Sequence, residues 1–346
     1  MGEFEIRITR KLLARFIRSE AGAKRREGFR EMKKLVSAGE ILVEIMAERI
    51  DQSFLEPGPL LGPYPSGAPA IFIGQAAALG QPAGLIGAVG DDDFGRLNIG
   101  RLRALGADVS AIAVHKGHAT GTAFVAYRAD ASRHFVFNIR NSASGLIETD
   151  RAATKLLASA DHVHVMGSSL FSDRAIEVAL SAIETVKAGG GTVSFDPNVR
   201  REIMQASGMR AALDHVLARA DIFLPSGEEL FLFSSAKDER GAVEELLARG
   251  LSCIVLKNGA AGAAYHDRHG VIASSGFAVD EVDPTGAGDC FGAAFVSFWL
   301  RGAAPAEALR IANACGALAV TRKGPMEGIF PLEAVEAFIA TGKSAQ

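Results

Sequence analysis

Near its C-terminal end the 346-residue chain reads Asp283-Pro284-Thr285-Gly286-Ala287-Gly288-Asp289. Gly286, Ala287 and Gly288 let backbone N–H groups converge. The charge-free run from Cys290 to Leu300 predicts a buried helix that closes at Arg301-Gly302. The loop is therefore expected at a helix N-terminus, where free N–H groups and the helix dipole favour an anion. A carboxylate beside such a nest suits phosphoryl transfer to an alcohol. The N–H groups would stabilise the moving phosphoryl group while Asp289 accepts the proton of the attacking hydroxyl. The weak basicity of an aspartate is no obstacle, because a loose transition state lets proton transfer come late. The competing account is a turn that only lets strand and helix pack closely, with Asp289 favoured by the dipole. A dinucleotide loop would need glycine at Phe291, and the Gly-Lys-Ser/Thr of a P-loop is missing.

The elements that must hold this loop alternate along the chain. Nearly continuous apolar runs at 34–45, 83–90, 162–167, 192–196, 221–225 and 252–257 predict strands covered on both faces. Amphipathic stretches at 94–106, 173–190 and 241–250 predict the covering helices, several closing on glycine. This is α/β architecture with a largely parallel sheet. Two segments depart from it: 120–139 reads as a hairpin, and the Pro- and Gly-rich 46–66 as irregular connections beside it. Together they predict a small flap over the strand C-termini, where open α/β sheets bind ligands.

With 48% hydrophobic and 22% charged residues and a formal charge of −3, the composition is that of a globular protein and argues against a nucleic-acid binder or a membrane span. The charge is uneven: residues 1–34 hold eleven Lys/Arg against five Asp/Glu. That tail lacks the apolar core of a secretory signal, and Met32 is a plausible second start, so residues 1–31 are expected to be an extension outside the fold. Cys253, Cys290 and Cys315 lie in apolar runs without paired spacing, as buried thiols of a reducing cytoplasm do. His162 and His164 alternate on one strand without a third metal ligand nearby, and Asp91-Asp92-Asp93 precedes a helix it can cap.

From Lys34 to Phe330 the sequence resembles the ribokinase-like (PfkB) carbohydrate kinases. The resemblance rests on Asp283–Asp289, on 66–80 followed by 84–96, and on 313–324, which is similar to the helix and loop flanking the adenine. It implies a three-layer α/β/α fold with a β lid built from about 46–66 and 120–140. It also implies a kinase domain over 32–335 with a tail at 336–346. By the same resemblance Asp289 is the catalytic base, residues 286–288 are the anion hole, and Glu44 grips sugar hydroxyls together with Gly67 and Ala68. An acid within Ile41–Met46 would otherwise be awkward to bury.

Residues 196–200 are similar to the family's Asp-x-Asn-x-Arg segment, implying Asn198 and Arg200 near substrate or phosphate. Residues 257–262 resemble the phosphate loop, implying that Lys257, Gly259 and Gly262, with Ser226 and Asn313, bind nucleotide. Glu229 is implied to hold magnesium through water, while Asp283 and Thr285 match positions that hold a monovalent cation, potassium. The sequence departs from the family at Ser226, which replaces Asn; at Ser66, which replaces Gly; and at Ile71, where an Asn would reach the sugar.

The resemblance implies a cytoplasmic enzyme using ATP and Mg2+ on a sugar hydroxyl, and a homodimer formed through the lid, with neither nucleic acid nor membrane as partner. A ketohexose, fructose or tagatose, is the first expected acceptor. The segment 135–145 is also similar to flap ends of 2-keto-3-deoxygluconate kinases, where Arg140 would meet an acid sugar. A nucleoside kinase and a catalytically idle sugar or nucleotide sensor are the further alternatives.

Overall fold

The computed structural model describes residues 32–130, 132–199 and 208–342. Its elements are β1 (Leu35–Ala38), β2 (Leu42–Ala47), β3 (Leu60–Ser66), α1 (Ala68–Ala78), β4 (Ala83–Gly90), α2 (Asp93–Ala104), β5 (Ile112–His115), β6 (Gly121–Tyr127) and β7 (Arg133–Asn138). There follow α3 (Arg151–Ala158), β8 (His162–Met166), α4 (Asp173–Ala188), β9 (Thr192–Asp196), α5 (Met209–Arg219), β10 (Ile222–Phe223), α6 (Glu239–Ala248) and β11 (Cys253–Lys257). The described chain closes with β12 (Ala263–Asp267), β13 (Gly270–Ser274), α7 (Ala287–Leu300), α8 (Pro305–Ala319) and α9 (Leu332–Ala340).

Nine strands form the main sheet in the order β13-β12-β11-β10-β9-β8-β1-β4-β5. It is parallel from β11 to β5, and the β12–β13 hairpin adds an antiparallel edge. Its strands are apolar on both sides because both faces are covered. Along β4, Leu85 packs into a core with α1, α7 and α8, whereas Ile86 packs into a second core with α3, α4, α5 and α6. Polar caps set the helix starts: Asp92 accepts from Gly95 N, Asp150 from Ala153 N and Ser172 from Ala175 N.

The flap is a separate four-stranded sheet, β3-β2-β6-β7. The 120–139 hairpin is present as β6 and β7. Two expectations change. The run 34–45 is two strands, not one: β1 ends in the main sheet at Ala38 and β2 begins in the flap at Leu42. The 46–66 stretch contains β3, whose Pro63 and Pro65 are tolerated because it is the flap's outer strand and need not donate on its free side.

At the C-terminus α9 runs across residue 335, and Phe338 and Ile339 pack on the core, so folded structure continues into the expected tail. The expected extension, residues 1–31, lies outside the described residues. Among those described, no helix is long and apolar enough to cross a membrane.

Polar side chains buried in the sheet pair across β8 and β9. His162 Nδ1 lies 2.7 Å from Thr192 Oγ1, and its Nε2 lies 2.7 Å from Ser194 Oγ, which is also 2.7 Å from His164 Nδ1. The two histidines therefore join neighbouring strands, and no group of metal-ligating side chains occurs among the described residues. The three cysteines are free and buried.

Candidate active site

Helix α7 begins where the glycine loop ends. Gly286 is its N-cap in the left-handed region (φ 86°), where a Cβ would stand 2.6 Å from Pro325 O. Only glycine fits both the backbone angle and the close approach. This geometry turns the first N–H groups of the helix toward the cavity beside it. Asp289 lies one turn in and is 9% exposed. Burial, and then the nearby Asp196 carboxylate, push its proton affinity up to about 8, with Lys257 acting in the opposite sense.

Around Asp289 the strand ends deliver a cluster of charges. Asp196, at the end of β9, is ion-paired with Lys257 at the end of β11, and the two side chains are 2% and 11% exposed. Burial raises the Asp196 proton affinity against the pull of Lys257. Glu229 accepts from Ser226 N (2.7 Å) and Val199 N (2.9 Å), which fixes its carboxylate beside the same cluster; burial and Asp196 push its proton affinity up. Asn198 takes a left-handed backbone (φ 41°) while its N–H donates to Asp196 Oδ1 at 3.2 Å. Asparagine is among the few non-glycine residues that tolerate that region.

Two cavities meet at these residues. The first, about 480 Å³, lies between the flap and the main sheet. Glu44, Arg133 and Arg140 line it from the flap, and Gly67, Ala68 and Ile71 from the start of α1. Asn198, Glu229, Thr285, Gly286 and Asp289 line it from the main body. The second, about 460 Å³, is lined by Gly259, Gly262, Ala287, Asn313, Gly316 and Val320. Ser226, Lys257, Pro284 and Gly288 border both. Asn313 donates its amide to Ser274 O (3.0 Å) and Ser275 O (3.2 Å), so it also holds the end of β13 in place.

Asp283 stands behind the loop, 1% exposed, accepting from Thr285 N (3.0 Å), Tyr127 OH (2.7 Å) and Gly324 N (2.9 Å). Arg200 lies outside the described residues. Of the other residues expected at the site, all but Asp283 line one or both of the two cavities. The structure adds Asp196, Glu40 and Arg133. Glu40 lines the first cavity, accepts from Ser169 Oγ at 2.6 Å and has its proton affinity raised by burial. Asp196 opens the Asp-x-Asn-x-Arg segment noted in the sequence, whereas the one sequence signal of Glu40 and Arg133 is charge within or beside an apolar strand.

A carboxylate of raised basicity at an anion-binding helix start, between a polar cavity under a flap and a second cavity reached by glycine turns, defines a phosphotransferase acting on an alcohol. The pfkB family carbohydrate kinase model matches residues 32–331, and the chain belongs to that family. It is an ATP-dependent sugar kinase with the ribokinase-like fold. It is 32% identical to fructokinase-1 of Zea mays over 311 residues, covering 87% of this chain and 95% of that protein.

Among solved structures, a putative ribokinase II from E. coli in complex with ATP and Mg2+ superposes with a TM-score of 0.86 and 46% identity, covering 90% of this chain and 100% of that one. A Vibrio cholerae O395 fructokinase double mutant, with fructose, ADP and potassium bound, has a TM-score of 0.76 and 27% identity. That match covers 89% of this chain and 98% of the other.

Proposed function

We propose that this kinase phosphorylates a ketohexose, fructose first, from Mg2+-ATP. The sugar would bind in the cavity under the flap and the nucleotide in the second cavity. The observation that carries the reading is Asp289, a buried base lining the first cavity next to Gly288, which borders both cavities, at the start of α7. Similarity to fructokinases supports the choice of acceptor. Glu44 would hold sugar hydroxyls. Asp289 would take the proton of the attacking hydroxyl while the new O–P bond forms, the β–γ bridging bond breaks and ADP leaves. The N–H groups of Gly286, Ala287 and Gly288 would face the phosphoryl oxygens.

Glu229 and Asp196 offer hard carboxylate oxygens of the kind magnesium takes through water, and when bound the ion neutralises phosphate charge. Potassium is assigned to Asp283 and Thr285. Exchanging KCl for tetramethylammonium chloride at constant ionic strength tests this, and an unchanged rate rejects it.

The flap exposes Leu55, Ile50, Leu60, Val136 and Phe137, an apolar set that supports a homodimer through the flap, checked by light scattering. The cytoplasm is the proposed compartment, supported by the three free thiols. Residues 1–31 are proposed to be dispensable, so a chain starting at Met32 should keep full activity.

A second reading, an acid sugar of the 2-keto-3-deoxygluconate type, is favoured by two arginines, Arg133 and Arg140, in the sugar cavity. One assay separates them: coupled ATP consumption over ketohexoses, aldoses including ribose, keto-deoxy acids and nucleosides, with Asp289→Asn alongside. Fructose turnover that the variant lowers by roughly two to four decades is expected. Turnover confined to acid sugars would move the assignment, and an active variant would remove Asp289 as the base.

A further inference from the structure

The flap is tied to the anion-binding loop by side chains that the reaction outlined above leaves unused. Tyr127, the last residue of β6, and Arg133, the first of β7, face each other across the hairpin. Tyr127 OH donates to Asp283 Oδ1 at 2.7 Å and lies 3.3 Å from Thr285 Oγ1. Arg133 Nη1 donates to the same Thr285 Oγ1 at 3.2 Å, and its guanidinium stands 5.6 Å over the Phe135 ring.

On the loop side these contacts reach a rigid knot. The Asp283 carboxylate also accepts from its own turn at Thr285 N and from Gly324 N, in the segment after α8. Thr285 directly precedes Gly286, whose left-handed backbone aims the first N–H groups of α7. A displacement of Thr285 therefore re-aims the groups that would face the phosphoryl oxygens.

We propose that Tyr127 and Arg133 are positioning residues. Their bonds to Asp283 and Thr285 make closure of the flap and alignment of the anion-binding N–H groups one event. The inference rests on the kinase reading above. A flap held away from the loop would leave Thr285 without its two flap partners and the phosphoryl site unaligned, so ATP would turn over slowly until a sugar draws the flap down. Glu44 and Arg140, two of the flap residues lining the sugar cavity, supply that pull.

The test uses the full chain with Tyr127→Phe, Arg133→Met, Arg133→Lys and the double variant Tyr127→Phe/Arg133→Met, measured with fructose and Mg2+-ATP. Removing one latch hydrogen bond should lower kcat about tenfold while both KM values stay within about twofold. Arg133→Lys should recover much of what Arg133→Met loses, and the double variant should lose less than the product of the single losses, because both act through Thr285.

Unchanged kcat in Tyr127→Phe and Arg133→Met would overturn the latch. So would a raised fructose KM at intact kcat, which would make the two residues sugar contacts. If Tyr127→Phe lowers the melting temperature, the Arg133→Lys against Arg133→Met comparison decides alone: equal kcat in the two overturns the proposal. A wild-type chain without sugar-dependent turnover defeats the kinase reading itself, whereas an active wild type with equally active variants defeats the latch only.

Discussion

Lys257, which borders both cavities, is ion-paired with Asp196, which lines the first. The lysine ammonium also lies close to the first turn of α7, 3.9 Å from where a Cβ on Gly288 would stand. The pair thus keeps a positive charge beside the start of α7, where the proposed reading puts the moving phosphoryl group.

Breaking this pair should have two separable effects. Lys257→Met leaves Asp196 buried without its partner and is expected to cost about 3 kcal/mol of stability. It should also raise the KM for ATP. Asp196→Asn/Lys257→Met removes both charges and should regain most of the lost stability in urea unfolding but none of the nucleotide affinity. Recovery of both would reduce the lysine to a structural counter-ion.

The raised proton affinity of Asp289 predicts a rate that falls on the acid side of about pH 8. A base acts only when ionised, so kcat/KM for sugar at saturating ATP should climb with pH and level off above about 8. The same shift acts on stability. The unfolded carboxyl ionises near 3.8 and the folded one near 8, so stability of the ligand-free protein from this group falls as pH rises through that window. Asp289→Asn should abolish that slope. An unaltered slope in the variant would contradict the assignment.

The buried histidines act in the reverse direction. Burial, and then the charges of Lys33 and Lys187, depress His162 to about 3, and burial depresses His164 as well. Between the unfolded value of 6.5 and that low value the unfolded chain binds more protons. The histidine contribution to stability is thus complete above about 6.5 and is lost as pH falls toward 3. Comparing urea midpoints at pH 7 and 5 for the wild type and His162→Gln isolates it, the variant having the smaller loss.

Gly286→Ala tests the helix start directly. The added methyl meets Pro325 O, and the left-handed backbone itself disfavours alanine by roughly 1–3 kcal/mol. The loop should shift, lowering kcat about a hundredfold while calorimetric binding of fructose is preserved. Weak fructose binding with normal kcat would place the loop in sugar recognition.

How much of this was legible in the sequence depended on how local each feature is. The glycine loop, its carboxylate and the helix after it lie within eighteen residues, Asp283 to Leu300, and each part announces its neighbour. The main strands were legible because both faces are buried. The break between β1 and β2 was not, since Gly39-Glu40 is its one local mark and apolar residues resume at once from Ile41. β3 was hidden by prolines that only an outer strand can carry. The Asp196–Lys257 pair joins residues 61 apart, and Arg133 reaches Thr285 across 152, so neither leaves a periodic trace.

Among the described residues the second cavity, proposed for the nucleotide, has no flap residue in its wall, whereas the first has flap residues from Leu42 to Arg140. Movement of the flap would therefore change the wall of the first cavity and leave that of the second as it is. On the proposed reading, that movement would gate the sugar and its phosphate but not the nucleotide. For a catalytic cycle this favours departure of ADP before the phosphorylated sugar. Product inhibition by the sugar phosphate should then be competitive toward the sugar and insensitive to how fast nucleotide comes and goes.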